Sequence, residues 1–166
     1  MGEPDGFREF VIAETPGLFR EALLLSHDWH LAEDLVQETV TKVLTKWGRV
    51  SRAQSPSAYA HGILTREFLS MARKRSYTER PAEIDIPDGV APWDSIDTQI
   101  ALARSLAKLS PDERAVVVGR YVDDRPAADI AADLSRNEGW VRVTAHRALA
   151  KLREDGNLHD MSGGVG

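Results

Sequence analysis

The sequence contains no cysteine, which excludes disulfides, thiolate metal sites and a cysteine nucleophile, and suits a reducing cytosol. It also lacks long apolar runs: none approaches the roughly 18 residues of a membrane span. Met1-Gly2-Glu3-Pro4-Asp5 has none of the basic-then-apolar character that opens a signal peptide. The expectation is a cytoplasmic protein without membrane association. Strand signals are scarce too, since no sustained two-residue alternation of apolar and polar positions occurs. Catalytic motifs are missing as well. The five histidines, His27, His30, His61, His146 and His159, are scattered. There is no His-x-x-x-His with a helical glutamate, no glycine-rich phosphate loop and no Gly-x-Ser-x-Gly elbow. The sequence implies no enzyme, no metal and no cofactor.

What is present is a chain of 166 residues, 42% hydrophobic and 28% charged, with material for one domain or for two compact helical units. The net charge of −5 argues on its face against nucleic-acid binding, but the charges are segregated. Residues 1–41 hold nine acids against two bases. Residues 42–80 reverse the balance, with nine bases (Lys42, Lys46, Arg49, Arg52, Arg66, Arg73, Lys74, Arg75, Arg80) against Glu67 and Glu79. Residues 81–97 carry five acids and no base, and residues 135–153 carry five bases against Glu138. Two basic stretches able to hold phosphates are thus separated by an acidic spacer.

Periodicity of 3.6 residues recurs throughout and predicts an all-α fold. A short helix is expected over 6–13, followed by a second that Thr15-Pro16 opens and that runs to about Leu25. Asp28 is placed to cap a helix over about 30–47, with Leu31, Leu35, Val36, Val40, Val43, Leu44 and Trp47 on one stripe and Glu33, Asp34, Gln37 and Glu38 opposite. A polar connection over 48–57 leads to a helix over 58–74, with Tyr59, Ile63, Leu64 and Phe68 inward and a basic C-terminal end suited to the helix dipole. Pro81, Pro87, Gly89 and Pro92 among acids make 81–96 a linker.

Helices resume at about Ser95–Lys108. Ser110-Pro111-Asp112-Glu113 is a capping box opening a helix to about Tyr121. Asp123-Asp124-Arg125-Pro126 breaks that helix, Ala127–Leu134 forms a short one, and Asn137 caps a longer one to about Arg153. A short helix, a tight turn and a longer basic helix make a helix-turn-helix, in which the second helix enters the major groove. Ile130, Ala131, Leu134, Val141, Ala145, Leu149 and Leu152 would bury together. Asn137, Glu138, Trp140, Arg142, Thr144, His146, Arg147 and Lys151 are the candidates for DNA contact, with Arg142 first for a base edge. Taken alone, this pattern also fits a helical hairpin with a solvated basic face, and the acidic run at 33–38 also fits a solvated helix face. Residues 156–166 are glycine-rich and expected to form a flexible tail.

The order of these pieces resembles the extracytoplasmic-function sigma factors of the sigma-70 family, over about Phe7 to Arg153. The most specific run is Asp28-Trp29-His30-Leu31-Ala32-Glu33-Asp34-Leu35-Val36-Gln37-Glu38-Thr39, similar to that family's region 2.1–2.2. The resemblance implies that Asp34, Gln37 and Glu38 bind core RNA polymerase at the beta-prime coiled coil. Ala58 through Arg75 resembles regions 2.3 and 2.4, which implies that Tyr59, Arg66, Arg73, Lys74 and Arg75 meet the minus-10 element. There, stacking and phosphate contacts offset the few kcal/mol needed to extract a base. Leu106–Arg114 with Arg120-Tyr121 resembles region 4.1, and Asp129–Arg153 resembles region 4.2, which reads the minus-35 element, with the beta flap as a further polymerase contact.

The expected organisation is a region 2-like unit over 6–80, the linker over 81–96 and a region 4-like unit over 97–155. An anti-sigma factor is a further partner that the resemblance implies. The sequence departs from the family pattern at Arg66, where many members carry asparagine, and at Ser70, often aspartate. It departs again at Ser135, at a turn position usually held by glycine, and at Trp140, usually threonine. These departures leave minus-10 and minus-35 preference open. Two other readings are a helix-turn-helix regulator that binds an operator without polymerase, and an adaptor that has lost DNA binding.

Overall fold

The computed structural model describes residues 2–75 and 102–154. Every element among the described residues is helical: α1 (Phe7–Ser26), α2 (Trp29–Thr45), α3 (Trp47–Arg52), α4 (Pro56–Arg75), the described part of α5 (102–106), α6 (Pro111–Val117), a π-helical turn (Val118–Val122), α7 (Ala127–Leu134) and α8 (Glu138–Glu154). The expected linker and tail lie outside the described residues.

The local start signals work as the sequence predicts. Asp28 accepts a hydrogen bond from the Leu31 N–H at 3.1 Å and opens α2. Ser110 and Glu113 form the reciprocal capping box of α6, with Pro111 in the first turn. The Asn137 carboxamide oxygen accepts from the Trp140 N–H at 2.7 Å and opens α8. Each cap satisfies N–H groups that the first helical turn leaves unpaired.

Three expectations are corrected. The first two helices are one: α1 runs unbroken through Pro16. Proline has no N–H to offer the carbonyl four residues back, a defect normally costing about 3 kcal/mol. It falls beside Ile12, which is 68% exposed. Both halves of α1 are anchored independently. Phe7 and Phe10 pack on Trp47 at ring-centroid distances of 5.6 and 5.3 Å, and Leu18, Ala22, Leu23, Leu24 and Leu25 are buried further along. Tertiary burial outweighs the lost bond. Second, residues 47–52 form α3 rather than a plain connection, because Val50 is fully buried and Trp47 covers the start of α1. Third, the α-helix after Ser110 stops at Val117 and continues as the π turn, which the Asp123 N–H closes on the Val118 carbonyl at 3.0 Å. Within α2, Leu44 is exposed rather than inward, and Thr39 is buried in the stripe with its hydroxyl donated to the Leu35 carbonyl.

Helices α1, α2 and α4 pack together as the first unit, and α6, α7 and α8 as the second. Val116, Ala127, Ile130, Ala131, Val141 and Ala145 form the small core of the helix-turn-helix. The larger core is continuous across both units: Leu18, Leu25, Leu64 and Phe68 share it with Leu106, Val117, Ala148 and Leu152. Arg114 pins this junction. Its guanidinium donates to the carbonyls of Leu25, Leu106 and Leu109 and lies over the Phe68 ring. Burial lowers its pKa to about 10, so it remains charged at neutral pH.

Candidate polymerase- and DNA-binding surfaces

On α2, the apolar stripe faces α1 and α4, which turns Glu33, Asp34, Gln37 and Glu38 outward, all exposed. They form an acidic, amide-bearing strip free of the core. Its rim is marked by Lys42, which pairs with Glu67 of α4.

On α8, burial of Val141, Thr144, Ala145, Ala148 and Leu152 sets the rotation of the helix. Arg142, His146 and Arg147 are left exposed on the opposite side. Arg142 is paired one turn back with Glu138 at 2.9 Å, and Lys151 is held by Glu113 of α6. The first pair is largely exposed and hence weak, whereas in the second the Glu113 side chain is only 13% exposed. Thr144 is a correction: at 8% exposure it belongs to the inward face and presents nothing to DNA. The i, i+3, i+4 spacing of Val141, Thr144 and Ala145 is the physical reason. Trp140 is half-buried on the small core with the Arg136 guanidinium 4.8 Å from its ring centre, so it packs under the helix start.

Ser135, in the turn, has φ 55° and ψ 45°, the left-handed geometry that glycine adopts without penalty. The chain leaves α7 there with the Arg136 N–H on the Ala131 carbonyl at 2.8 Å, a C-terminal cap satisfied despite the side chain.

On α4, Ile63, Leu64, Phe68 and Leu69 are inward. Arg73 and Lys74 are exposed and Arg75 half-buried at its C-terminal end. Tyr59 and Arg66 lie along the side that meets the second unit. Arg66 donates from Nη1 to Asp133 Oδ1 at 2.9 Å, and Asp133 also accepts from Arg125. Tyr59 and Arg66 line a cleft of about 660 Å³ whose opposite wall includes Asp123, Arg125, Asp129 and Asp133. The approach of α7 to α4 is close because residue 62 is glycine: a Cβ there would stand 2.8 Å from Asp133 Oδ1.

Beneath this cleft lies a buried ionisable cluster that sequence reasoning missed. Glu21 of α1, 1% exposed, is hydrogen-bonded to His61 Nδ1 and accepts from Thr65 Oγ1 at 3.3 Å. Asp123, just after the π turn, lies with its Oδ2 3.6 Å from His61 Nδ1, and that oxygen has no hydrogen-bond partner among the described residues. Burial pushes the Glu21 carboxyl up to about 7. Burial and then the neighbouring Glu21 charge push Asp123 up to about 8. These donors of Glu21, His61 and Asp123 sit within 4.8 Å of one another. That is ligand-like spacing, but the buried Arg125 guanidinium acts on both carboxylates and already supplies a positive charge. No local signal marks this cluster, because its members lie 40 and 62 residues apart in pairs.

A helix-turn-helix with an exposed basic recognition face, joined to a helical unit with an acidic outer strip and a basic helix end, defines a DNA-binding transcription protein of two helical units. Comparison with known proteins identifies the family. The Sigma-70 region 2 model matches residues 10–78 and the Sigma-70, region 4 model matches residues 99–152. The RNA polymerase sigma-E factor of Streptomyces coelicolor is 32% identical over 159 residues, covering 93% of this chain and 88% of that protein. The ECF RNA polymerase sigma factor SigL of Mycobacterium tuberculosis is 32% identical over 145 residues, covering 82% and 80%. Among solved structures, the sigma factor RpoE in complex with the anti-sigma factor NepR from Bartonella quintana aligns with a TM-score of 0.73 at 25% identity, over 91% of this chain and 96% of that one. The chain belongs to the sigma-70 family as an extracytoplasmic-function RNA polymerase sigma factor, and its function is to direct transcription initiation.

Proposed function

We propose that the α2 strip of Asp34, Gln37 and Glu38 docks on the beta-prime coiled coil of core polymerase and that the region 4 unit meets the beta flap. In the same reading, α4 takes the minus-10 element through Tyr59, Arg66, Arg73, Lys74 and Arg75. Helix α8 takes the minus-35 element through Arg142, His146 and Arg147, with Asn137, Glu138, Trp140 and Lys151 shaping the surface around them. The observation that carries this reading is the pair of exposed faces of opposite charge: acidic on α2, basic on α8. Each is presented by a helix whose other side is locked into a core. Residues 6–80 and 97–155 are the two working units and 81–96 the tether between them.

The protein performs no catalysis of its own; it positions the polymerase, which does the chemistry, and it works where polymerase is, in the cytoplasm. No described helix is long and apolar enough to cross a membrane. An anti-sigma factor is a fitting regulator, since the relative bound to NepR shares the fold over most of its length.

The experiment is co-elution with bacterial core polymerase followed by open-complex formation on a promoter library. A stable complex that opens a subset of promoters is expected. Charge reversal at Asp34 and Glu38 should weaken that complex while leaving thermal stability unchanged, because both side chains are exposed. Unchanged affinity in the double variant would sink the α2 assignment.

A further inference from the structure

Three segments bring electron-pair donors to one buried point. Glu21 of α1 and Asp123 at the end of the π turn both face the same ring nitrogen of His61 on α4. Glu21 is in contact with that Nδ1, and Asp123 Oδ2 stands 3.6 Å from it. None of the three side chains is more than 14% exposed. We propose that Glu21 Oε2, His61 Nδ1 and Asp123 Oδ2 form a binding site for a zinc-class divalent cation, with a water molecule as fourth ligand. No residue assigned above to polymerase or DNA supplies a donor, so the site is independent of that reading.

A proton on Nδ1 does not satisfy this arrangement. It serves one carboxylate, Glu21, and Asp123 Oδ2 is left buried with no hydrogen-bond partner among the described residues. One metal ion serves all three donors together. The opposite side of the ring suits that state: Glu14 Oε2 stands 3.6 Å from His61 Nε2 and is itself held by the Ser57 hydroxyl at 2.9 Å. A carboxylate there favours the tautomer protonated on Nε2, which frees the Nδ1 lone pair for a metal. The Thr65 hydroxyl donates to the other Glu21 oxygen, Oε1, at 3.3 Å and orients that carboxylate.

Charge leads to the same ion. With every carboxyl ionised, Glu14, Glu21, Asp123 and Asp133 face two cations, Arg66 and Arg125, and both of those bind Asp133. Two negative charges remain, which a divalent cation balances. Burial with too little positive charge nearby is also what raises the pKa of Glu21 and of Asp123. One nitrogen with oxygens and no sulfur suits zinc and its neighbours, whereas magnesium and calcium take six or more oxygen ligands. The three donor atoms lie within 4.8 Å of one another. Zinc bonds of about 2.0–2.2 Å set its ligands about 3.3 Å apart, a contraction that side-chain rotations supply.

The test uses the full chain without a histidine tag, stripped with a chelator and titrated with Zn2+ by calorimetry and with Co2+ by visible absorption. The sequence has no cysteine, so the Co2+ bands report nitrogen and oxygen ligands alone. One equivalent of each ion is expected to bind, and Zn2+ should raise the melting temperature. Asp123→Asn and His61→Gln each remove a ligand with little change in volume. Each should abolish the Co2+ bands and weaken Zn2+ binding by more than about 100-fold. Glu14→Gln should keep the bands and weaken binding by about 10–100-fold, as expected of a group that orients a ligand. His30→Gln, at the exposed start of α2, should change nothing. Circular dichroism checks the fold of each variant, and two ligand variants keep the test decisive if one does not fold. A wild type that binds neither ion, or binding that ignores both Asp123→Asn and His61→Gln, would overturn the site. So would loss on His30→Gln alone, which would make the ion an adventitious surface ligand.

Discussion

Arg66 and Asp133, 67 residues apart, are joined across the two units by a 2.9 Å ion pair, and Asp133 is shared with a second arginine, Arg125. The two partners are not energetically equivalent. The Arg66 side chain is 44% exposed, Arg125 only 7%. An exposed pair contributes about 0–1 kcal/mol after screening and side-chain entropy. Removing one partner of a buried pair strands a charge and costs about 3–5 kcal/mol. Arg66→Ala should therefore leave the unfolding free energy, measured by urea titration, within about 1 kcal/mol of wild type, and Arg125→Ala should lower it by about 3–5 kcal/mol. Equal losses would mean that Arg66 is far less solvated than its exposure indicates.

Ser135 supplies a prediction of opposite sign. Its side chain is exposed, its φ is 55°, and the cap around it is made by backbone groups. Ser135→Gly removes the left-handed penalty and should stabilise the fold by about 1 kcal/mol, read as a higher melting temperature. Promoter preference should not change, since no hydrogen bond of the cap uses the hydroxyl. A loss of stability would show that the hydroxyl has a role the backbone geometry does not require.

Helix α8 predicts a contrast between two neighbours. Arg142 is exposed near the start of the helix and Thr144 is buried. Arg142→Ala should cost about 1–3 kcal/mol of promoter affinity and relax selection at one base pair of the minus-35 element, if the guanidinium leaves Glu138 for a base edge. Thr144→Ala should alter stability and leave base selection untouched. Selection profiles on a randomised minus-35 library separate these outcomes. Uniform weakening by Arg142→Ala would make that residue a phosphate contact.

His27 sets an acid limit on stability. It caps α1 in left-handed geometry, is 4% exposed, and neither ring nitrogen has a hydrogen-bond partner among the described residues. Burial, and then the charge of Arg114, hold its pKa down to about 3. The folded protein keeps this imidazole neutral, while the unfolded chain protonates it near the usual 6.5. Its contribution is therefore fully present above about pH 6.5 and is lost as pH falls toward 3, at up to about 1.4 kcal/mol per pH unit. His27→Asn, which keeps the left-handed tolerance, should flatten the urea midpoint between pH 7 and 5 relative to wild type. Parallel pH profiles would contradict the assignment.

The sequence by itself determined much of what acts over one or two helical turns, though not α3 or the π turn. The caps at Asp28, Ser110 and Asn137, the break before Ala127, the buried stripe of α2 and the helix-turn-helix all follow from spacings of three or four residues. So does the exposure of Asp34, Gln37, Glu38, Arg142 and Arg147, because an apolar stripe dictates what the opposite face shows. Thr144 was misjudged because threonine is polar, although its spacing from Val141 and Ala148 placed it inward.

Only the tertiary structure decided the rest. Whether Pro16 ends a helix depended on the aromatic cluster of Phe7, Phe10 and Trp47 at one end and the leucines at the other. The pairing of Arg66 on α4 with Asp133 on α7 depended on how α7 meets α4. The Glu21–His61–Asp123 cluster depended on three segments meeting in a space too small for water to screen their charges. Such meetings are set by the closing of a core between residues 40 to 100 positions apart, and no local pattern of side chains records them.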